Sequence, residues 1–192
     1  MKTIKYILFL VTIIIFSIIG CKKDRISTTL EIRVVDEQGI YVNGASVKLF
    51  KTQSDMENDT NQFGATQMSD VTGKVTFNNL GTDIYYWFAE KGCLNNVNGI
   101  TTTPALDLNV TRVVSTTLSG TGTLKFINQS TSPYQVYING YPLLVANPGT
   151  SYSYVYVPVD TYYLEAIQVN GTTDKTYSGA ITCGSTLTFS FP

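Results

Sequence analysis

Apolar and polar residues alternate along most of this chain, and a period of two predicts β-strands. In residues 28–36, Leu30, Ile32 and Val34 fall on one face and charged residues fall on the other. This alternation is typical of a half-buried strand. Similar segments predict strands at 45–52, 75–77, 83–90, 110–118, 123–128, 134–139, 151–157, 161–169 and 187–191. Long amphipathic helices are not predicted after residue 20, so we expect an all-β protein.

Turn sequences separate these strands and divide the chain into two units. Asn139-Gly140 predicts a tight hairpin turn, because both residue types tolerate positive φ. Residues 53–64 are predicted to form a polar loop. Ser119-Gly120-Thr121-Gly122 predicts a short flexible linker, after which the strand pattern restarts. We therefore expect two tandem antiparallel β-sandwich domains, at 28–118 and, smaller, at 122–192.

The N-terminus has the pattern of a secretion signal. Lys2 and Lys5 precede an apolar run over residues 6–19, which is shorter than the roughly 20 residues of a membrane span. A basic start, a short apolar core and a small residue before the cleavage site are typical of signal peptides. An uncleaved anchor helix and an ordinary signal peptide with a chance cysteine are the alternatives.

Ile18-Ile19-Gly20-Cys21 resembles the lipobox that ends the signal peptide of bacterial lipoproteins. The resemblance implies a signal peptide at 1–20, cleavage after Gly20, and a diacylglycerol on the sulfur of Cys21. Acylation of the new amine would complete the anchor, since one acyl chain alone binds a membrane only marginally. Residues 21–27 would then be a lipidated tether. We expect a lipid-anchored protein of the cell envelope, at a Gram-negative outer membrane.

A second resemblance covers residues 28–118. Its motifs, in order, are Val35–Gly39, Asn43–Leu49, Asp70–Phe77, Leu80-Gly81 and a Tyr-rich strand. They resemble the transthyretin-like or Cna B-type β-sandwich, also called the carboxypeptidase regulatory-like domain. In that family the module is usually a stalk, a spacer or a binding domain and not a catalyst. The second unit broadly resembles PEGA-type envelope modules.

Composition excludes several kinds of chemistry. The chain has no histidine, which excludes Ser-His and Cys-His nucleophilic sites and the usual histidine-bearing zinc sites. Without Lys2 and Lys5 the mature chain has 11 basic residues (13 minus 2) against 14 acidic ones, a formal charge of −3. That balance disfavours nucleic acid as a partner. We expect no cofactor and no metal site.

Two cysteines, Cys93 and Cys183, remain after lipidation of Cys21. A pair of cysteines in an oxidising envelope suggests a disulfide. Two buried free thiols are the alternative, since thiols also pack as small apolar groups. The sequence is compatible with both a disulfide and two free thiols.

Alternating tyrosines are the candidate binding residues. Tyr152, Tyr154 and Tyr156 would project from one face of a strand if its valines enter the core, and Tyr137 and Tyr163 would join them. Such a face suits a sugar ring or a partner protein. A cross-strand aromatic ladder, or tyrosines that point inward while the valines point outward, are the alternatives.

The strand at 84–89 is apolar on both faces, so its outer face is expected to be covered by the second domain, a loop or a partner. Exposed aromatic side chains that lie along the sheet are the alternative. Acidic residues give two weaker candidates. Asp55, Glu57 and Asp59 alternate in the polar loop, but they lack the glycine and glutamate positions of an EF-hand, so a solvated loop is favoured over a cation site. The carboxylates available to a glycosidase belong to no recognisable motif; they are Asp83, Glu90 and Glu165.

These observations predict a lipid-anchored envelope protein with a structural or binding role, not an enzyme. Its expected partners are the membrane, through the N-terminal lipid, and an envelope protein or glycan. A glycan-active enzyme that uses carboxylates is the alternative function.

Overall fold

The computed structural model describes residues 28–99 and 101–192, so the predicted signal peptide, Gly20 and Cys21 lie outside the described residues. The described chain is almost entirely β-strand and contains one short helix, α1 (Gln53–Glu57). No helix in these ranges is long and apolar enough to cross a membrane. The strands are β1 (Thr28–Asp36), β2 (Ser46–Phe50), β3 (Gln67–Met68), β4 (Lys74–Leu80), β5 (Tyr86–Lys91), β6 (Leu94–Asn95), β7 (Thr111–Asn128), β8 (Tyr134–Ile138), β9 (Tyr141–Ala146), β10 (Ser151–Pro158), β11 (Asp160–Gln168), β12 (Asp174–Ile181) and β13 (Thr186–Phe191).

The first sandwich has two layers around one apolar core. Strands β4, β1 and the first half of β7 form one layer, and β3, β2, β5 and β6 form the other. The alternation predicted for β1 is confirmed, because Leu30, Ile32 and Val34 are all fully buried. They pack in one cluster with Trp87 and Leu49 from the facing layer.

The second sandwich repeats this plan with a separate core. Strands β10, β13 and the second half of β7 form one layer, and β12, β11, β8 and β9 form the other. The core cluster includes Phe126, Val136 and Leu164. The predicted hairpin at Asn139-Gly140 is confirmed, since both residues have positive φ and join β8 to β9.

The flexible linker predicted at Ser119–Gly122 is wrong, because these residues lie inside the 18-residue strand β7. Gly120 and Gly122 are needed for close packing and not for flexibility. A Cβ atom on Gly122 would lie 2.6 Å from the Ser185 carbonyl oxygen, and one on Gly120 would lie 2.9 Å from Val159. Glycine inside a strand often marks such a close approach. One unbroken strand therefore belongs to both sandwiches.

Two strand pairs also differ from the antiparallel prediction. Strands β1 and β13 each pair with β7 in parallel. Parallel neighbours need a long connection between them. The other strands of the first sandwich supply that connection between β1 and β7, and those of the second supply it between β7 and β13.

Local chemistry explains the remaining differences from the sequence-based assignment. The predicted polar loop at 53–64 begins with helix α1, because the Thr52 side chain accepts the Asp55 amide and caps its first turn. The strand predicted from residue 83 begins at Tyr86. Four strands were not predicted: the two-residue strands β3 and β6, and the edge strands β9 and β12.

Candidate functional site

The five candidate tyrosines do not share one face. Opposite residues in an antiparallel pair lie on the same face, and Tyr152 and Tyr154 lie opposite the core residues Phe126 and Leu124. Tyr152 packs against the second core, and the Tyr154 ring meets the Phe126 ring edge-on at 6.1 Å. Val155 is 63% exposed. Tyr154 stays 37% exposed at the rim, but both tyrosines lie on the core-facing side of the strand, so the predicted outward tyrosine face is wrong.

Partial burial of Tyr154 raises the pKa of its phenol, and the electrostatic effect of the neighbouring Tyr152 raises that pKa further.

Tyr137 and Tyr163 lie on strands β8 and β11 of the other layer. Their strand neighbours Val136, Tyr162 and Leu164 point into the core, which places both tyrosines on the outer face of that layer.

Tyr156 points in a third direction because of a β-bulge. The pairing of β10 with β7 shifts between Tyr154 and Val157, so that two residues oppose one. Tyr156 has a φ of 57° there, a left-handed conformation that is uncommon for a bulky side chain. Its ring contacts Phe88 of the first sandwich, with the ring centres 5.5 Å apart.

The outer face of β5 is covered by two of the three elements that the sequence analysis proposed for it. Trp87 and Ala89 point into the first core, whereas Tyr86 and Phe88 lie on the outer face and are half-buried. Helix α1 packs against β2 and β5, and Tyr156 of the second sandwich packs on Phe88. A loop segment and the second sandwich together cover this face.

Between these elements lies a groove of about 410 Å³, here called the junction groove. Lys48 of β2 lies at its base beside its strand partner Phe88. Met56 and Glu57 of α1 form one wall, and Tyr156 closes the groove on the side of the second sandwich. Glu90, two residues after Phe88 on the same face of β5, lines the groove as well.

Two of the four charged side chains that line the junction groove pair with each other. The Lys48 ammonium lies 2.6 Å from the Asp59 carboxylate. The Gln53 amide donates to the Glu57 carboxylate at 2.6 Å. Among the described residues, no side chain forms a hydrogen bond or ion pair with the Glu90 carboxylate. Three carboxylates against one ammonium leave the lining with a net charge of −2.

A disulfide and a set of hydrogen bonds hold the two sandwiches together. Cys93 follows β5, Cys183 follows β12, and the two form a disulfide with their Cα atoms 5.4 Å apart. The Val159 amide donates to the Gly120 carbonyl at 3.0 Å. A covalent bond and backbone bonds to the middle of β7 therefore join the units.

The acidic candidates are dispersed. Asp55 accepts hydrogen bonds from the Thr52 hydroxyl at 2.6 Å and the Asn61 amide at 2.7 Å, and these bonds lower the pKa of Asp55. Its carboxylate thus organises the loop around α1. No group of three or more metal-ligating side chains occurs within 28–99 and 101–192.

The three carboxylates considered for a glycosidase also lie apart. Asp83 pairs with Lys51 at 2.7 Å, Glu90 lines the junction groove, and Glu165 lies on β11 opposite Tyr137. The structure therefore brings no two of them together as an acid and base pair. The sequence flagged Phe88 and Tyr156 separately, but it did not indicate Lys48 or Met56 as their neighbours.

No family model matches this chain, and no curated protein matches it. Among solved structures it is similar to the Bacillus anthracis TIE protein, with 16% identity and a TM-score of 0.37 over 86% of this chain and 34% of that one. It is also similar to a streptococcal ancillary pilin, with 15% identity and a TM-score of 0.38 over 88% of this chain and 63% of that one. The minor pilin GBS52 of Streptococcus agalactiae is similar as well, with 15% identity and a TM-score of 0.39 over 85% of this chain and 94% of that one.

A hydroxyquinol 1,2-dioxygenase from Pseudomonas putida is matched with 10% identity and a TM-score of 0.31, over 51% of this chain and 58% of that one. The chain spans about a third of the length of the TIE protein chain. Likenesses this distant assign neither a family nor a function.

Proposed function

We propose that this protein is a lipid-anchored protein of the cell envelope with a structural, non-catalytic role. Its two sandwiches would form one stiff arm that holds the second sandwich away from the membrane. The observation that carries the stiff arm is strand β7, which runs unbroken through both sandwiches, whereas the lipid anchor rests on the lipobox resemblance of residues 18–21. At about 3.3 Å per residue, its 18 residues extend over about 60 Å.

The path of the chain gives the arm a direction. Thr29 pairs in parallel with Thr111, so β1 and β7 start at the same end of the first sandwich. Thr28 follows Cys21 by seven residues (28 minus 21), which span at most about 25 Å. A lipid on Cys21 would thus keep this end near the membrane. The second sandwich, built on the far half of β7, would then be distal.

Three contacts resist bending where β7 passes from one sandwich to the other. They are the Cys93–Cys183 disulfide, the Val159–Gly120 backbone bond and the Tyr156–Phe88 ring contact. The contacts involve different segments of the chain, so rotation of one unit against the other would have to break several of them together. This supports a stiff arm and not two independent domains on a tether.

Replacement of the acylated cysteine tests the anchor. We expect Cys21→Ser to abolish the incorporation of labelled palmitate and to release the protein from the membrane fraction. Cys93→Ser with Cys183→Ser is the matched control, because it removes two other sulfurs and should leave labelling intact. Continued labelling of Cys21→Ser would contradict the lipid anchor.

Distance measurements between spin labels test the arm. Val71 and Tyr141 are 79% and 76% exposed and lie in different sandwiches, so cysteines there can carry labels. Double electron–electron resonance on the mature chain should give one narrow distribution of the distance between the two labels. A control with a flexible glycine-serine insert after Gly120, and without the disulfide, should give a broad one. A broad distribution without the insert would refute the stiff arm, whatever the outcome for the anchor.

A further inference from the structure

We infer that the junction groove binds a basic side chain, of lysine or arginine, on a partner protein. This inference goes beyond the proposed arm and does not depend on the lipid anchor. It rests on three properties of the groove: its size, its aromatic and aliphatic walls, and its uncompensated negative charge.

The size and walls suit a side chain with an apolar stem. A volume of about 410 Å³ falls within the range of about 300–1,000 Å³ that is typical of ligand sites. Phe88, Met56 and Tyr156 supply the apolar surface. Lysine and arginine bury their methylene stems along such surface while the charged end stays near polar groups. Aromatic rings additionally attract a cation placed over their faces.

The charge decides between a cation and other ligands. Lys48 is already neutralised by Asp59, which leaves Glu57 and Glu90 to set the potential of the groove. An anion would meet two carboxylates of like charge. A neutral ligand would cover the Glu90 carboxylate without pairing it, and burying an unpaired charge is unfavourable. A guanidinium or ammonium group would pair with it instead.

The position of Tyr156 supports a built site. Its left-handed backbone is an uncommon conformation for a tyrosine and costs free energy. The same bulge turns its ring away from the second core, onto Phe88 and over the groove. The side chain that closes the groove is thus held there by a strained segment of β10.

The test uses the full mature chain in zwitterionic detergent and ligand-observed NMR, with protein-free micelles subtracted. The probes are the N-acetyl N-methylamides of lysine, arginine and norleucine. Norleucine has the aliphatic stem of lysine without the ammonium. We expect lysine or arginine to bind at least about fivefold more tightly than norleucine in dilute salt, and this preference should shrink in 0.5 M NaCl.

Variants locate the binding. Glu90→Gln removes the charge and keeps the shape, so it should weaken binding at least about fivefold. Glu165→Gln, the same change on the outer face of β11, should leave binding unchanged. Tyr156→Asn should also weaken it, since asparagine tolerates the left-handed backbone but lacks the ring. Circular dichroism checks that each variant folds.

Two results would overturn the inference. One is equal binding of norleucine and both basic probes. The other is binding of the basic probes that Glu90→Gln leaves unchanged, because the cation would then bind elsewhere. A methyl glycoside of N-acetylglucosamine is measured beside them as a second neutral probe, and it should bind no more tightly than norleucine.

Discussion

The Asn95 side-chain amide donates a hydrogen bond of 2.6 Å to the Thr121 hydroxyl, at a buried position in the middle of β7. The Thr121 hydroxyl and amide both donate to the Cys93 carbonyl oxygen, at 3.2 and 2.9 Å. The Thr121 carbonyl accepts from the Gly184 amide of the second sandwich at 2.8 Å. Thr121 therefore bonds to both units, within the segment that the sequence suggested was a linker.

Loss of this hydroxyl should destabilise the protein. Thr121→Val keeps the shape of the side chain but leaves the buried Asn95 amide without its acceptor. We expect a loss of about 1–3 kcal/mol in the free energy of unfolding, measured by urea denaturation. Thr188→Val, at an exposed position of β13, should change it by less than about 0.5 kcal/mol. Equal effects of the two changes would contradict the importance of the buried hydrogen bond.

Glycine at position 122 should be required for packing. Gly122→Ala places a methyl group 2.6 Å from both Ile181 and the Ser185 carbonyl oxygen, so the strands must move apart. We expect a loss of about 1–3 kcal/mol, measured by the same denaturation. Gly81→Ala is the control, because its methyl group would meet only the exposed Asp83 carboxylate, at 3.2 Å, and the Tyr85 hydroxyl, at 3.7 Å. A tolerated Gly122→Ala would mean that the strands at this point are loosely packed.

The shared strand should make the two cores unfold together. The protein has one tryptophan, Trp87, fully buried in the first core, and its fluorescence reports on that core alone. Phe126→Ala removes a buried ring from the second core and should cost about 3–5 kcal/mol. We expect the midpoint followed by Trp87 fluorescence to fall together with that followed by circular dichroism. A fluorescence midpoint that stays at the wild-type value would show independent unfolding.

The turn before β4 should contribute to stability in a pH-dependent way. The Asp70 carboxylate accepts from the Thr72 hydroxyl at 2.7 Å and from the Thr72 and Lys74 amides, which lowers the pKa of Asp70. A lowered folded-state pKa stabilises the fold above the unfolded-state pKa of about 3.9, and this stabilisation is lost as the pH falls through the folded-state value.

Asp70→Asn should therefore destabilise the protein at pH 7, and its difference from the wild type should shrink as the pH falls below about 4. Unfolding free energies measured at stepped pH provide the test. Thr72→Val removes the hydroxyl, which makes the largest contribution to the shift, and should reduce the pH dependence in part. A difference between Asp70→Asn and the wild type that is constant with pH would contradict the assignment.

Much of the fold was predictable because its signals are local. The alternation in β1 identified Leu30, Ile32 and Val34 as core residues, and they are fully buried. Asn139-Gly140 specified its turn by backbone preference alone. The candidate site was harder to predict, since the sequence showed the apolar outer face of β5 but not which side chains cover it.

The alternation of apolar and polar residues is enough to predict that the protein is built of β-strands and, outside the bulge in β10, which residues of a strand share a face. Which face of β10 is inward depends on its pairing with β7, since a period of two is the same whether tyrosines or valines enter the core. The tertiary structure also decided that Gly120 and Gly122 serve close packing and that Lys48, Phe88 and Tyr156 meet in one groove. Those outcomes depend on residues distant in the chain, and local preference does not encode which of them become neighbours.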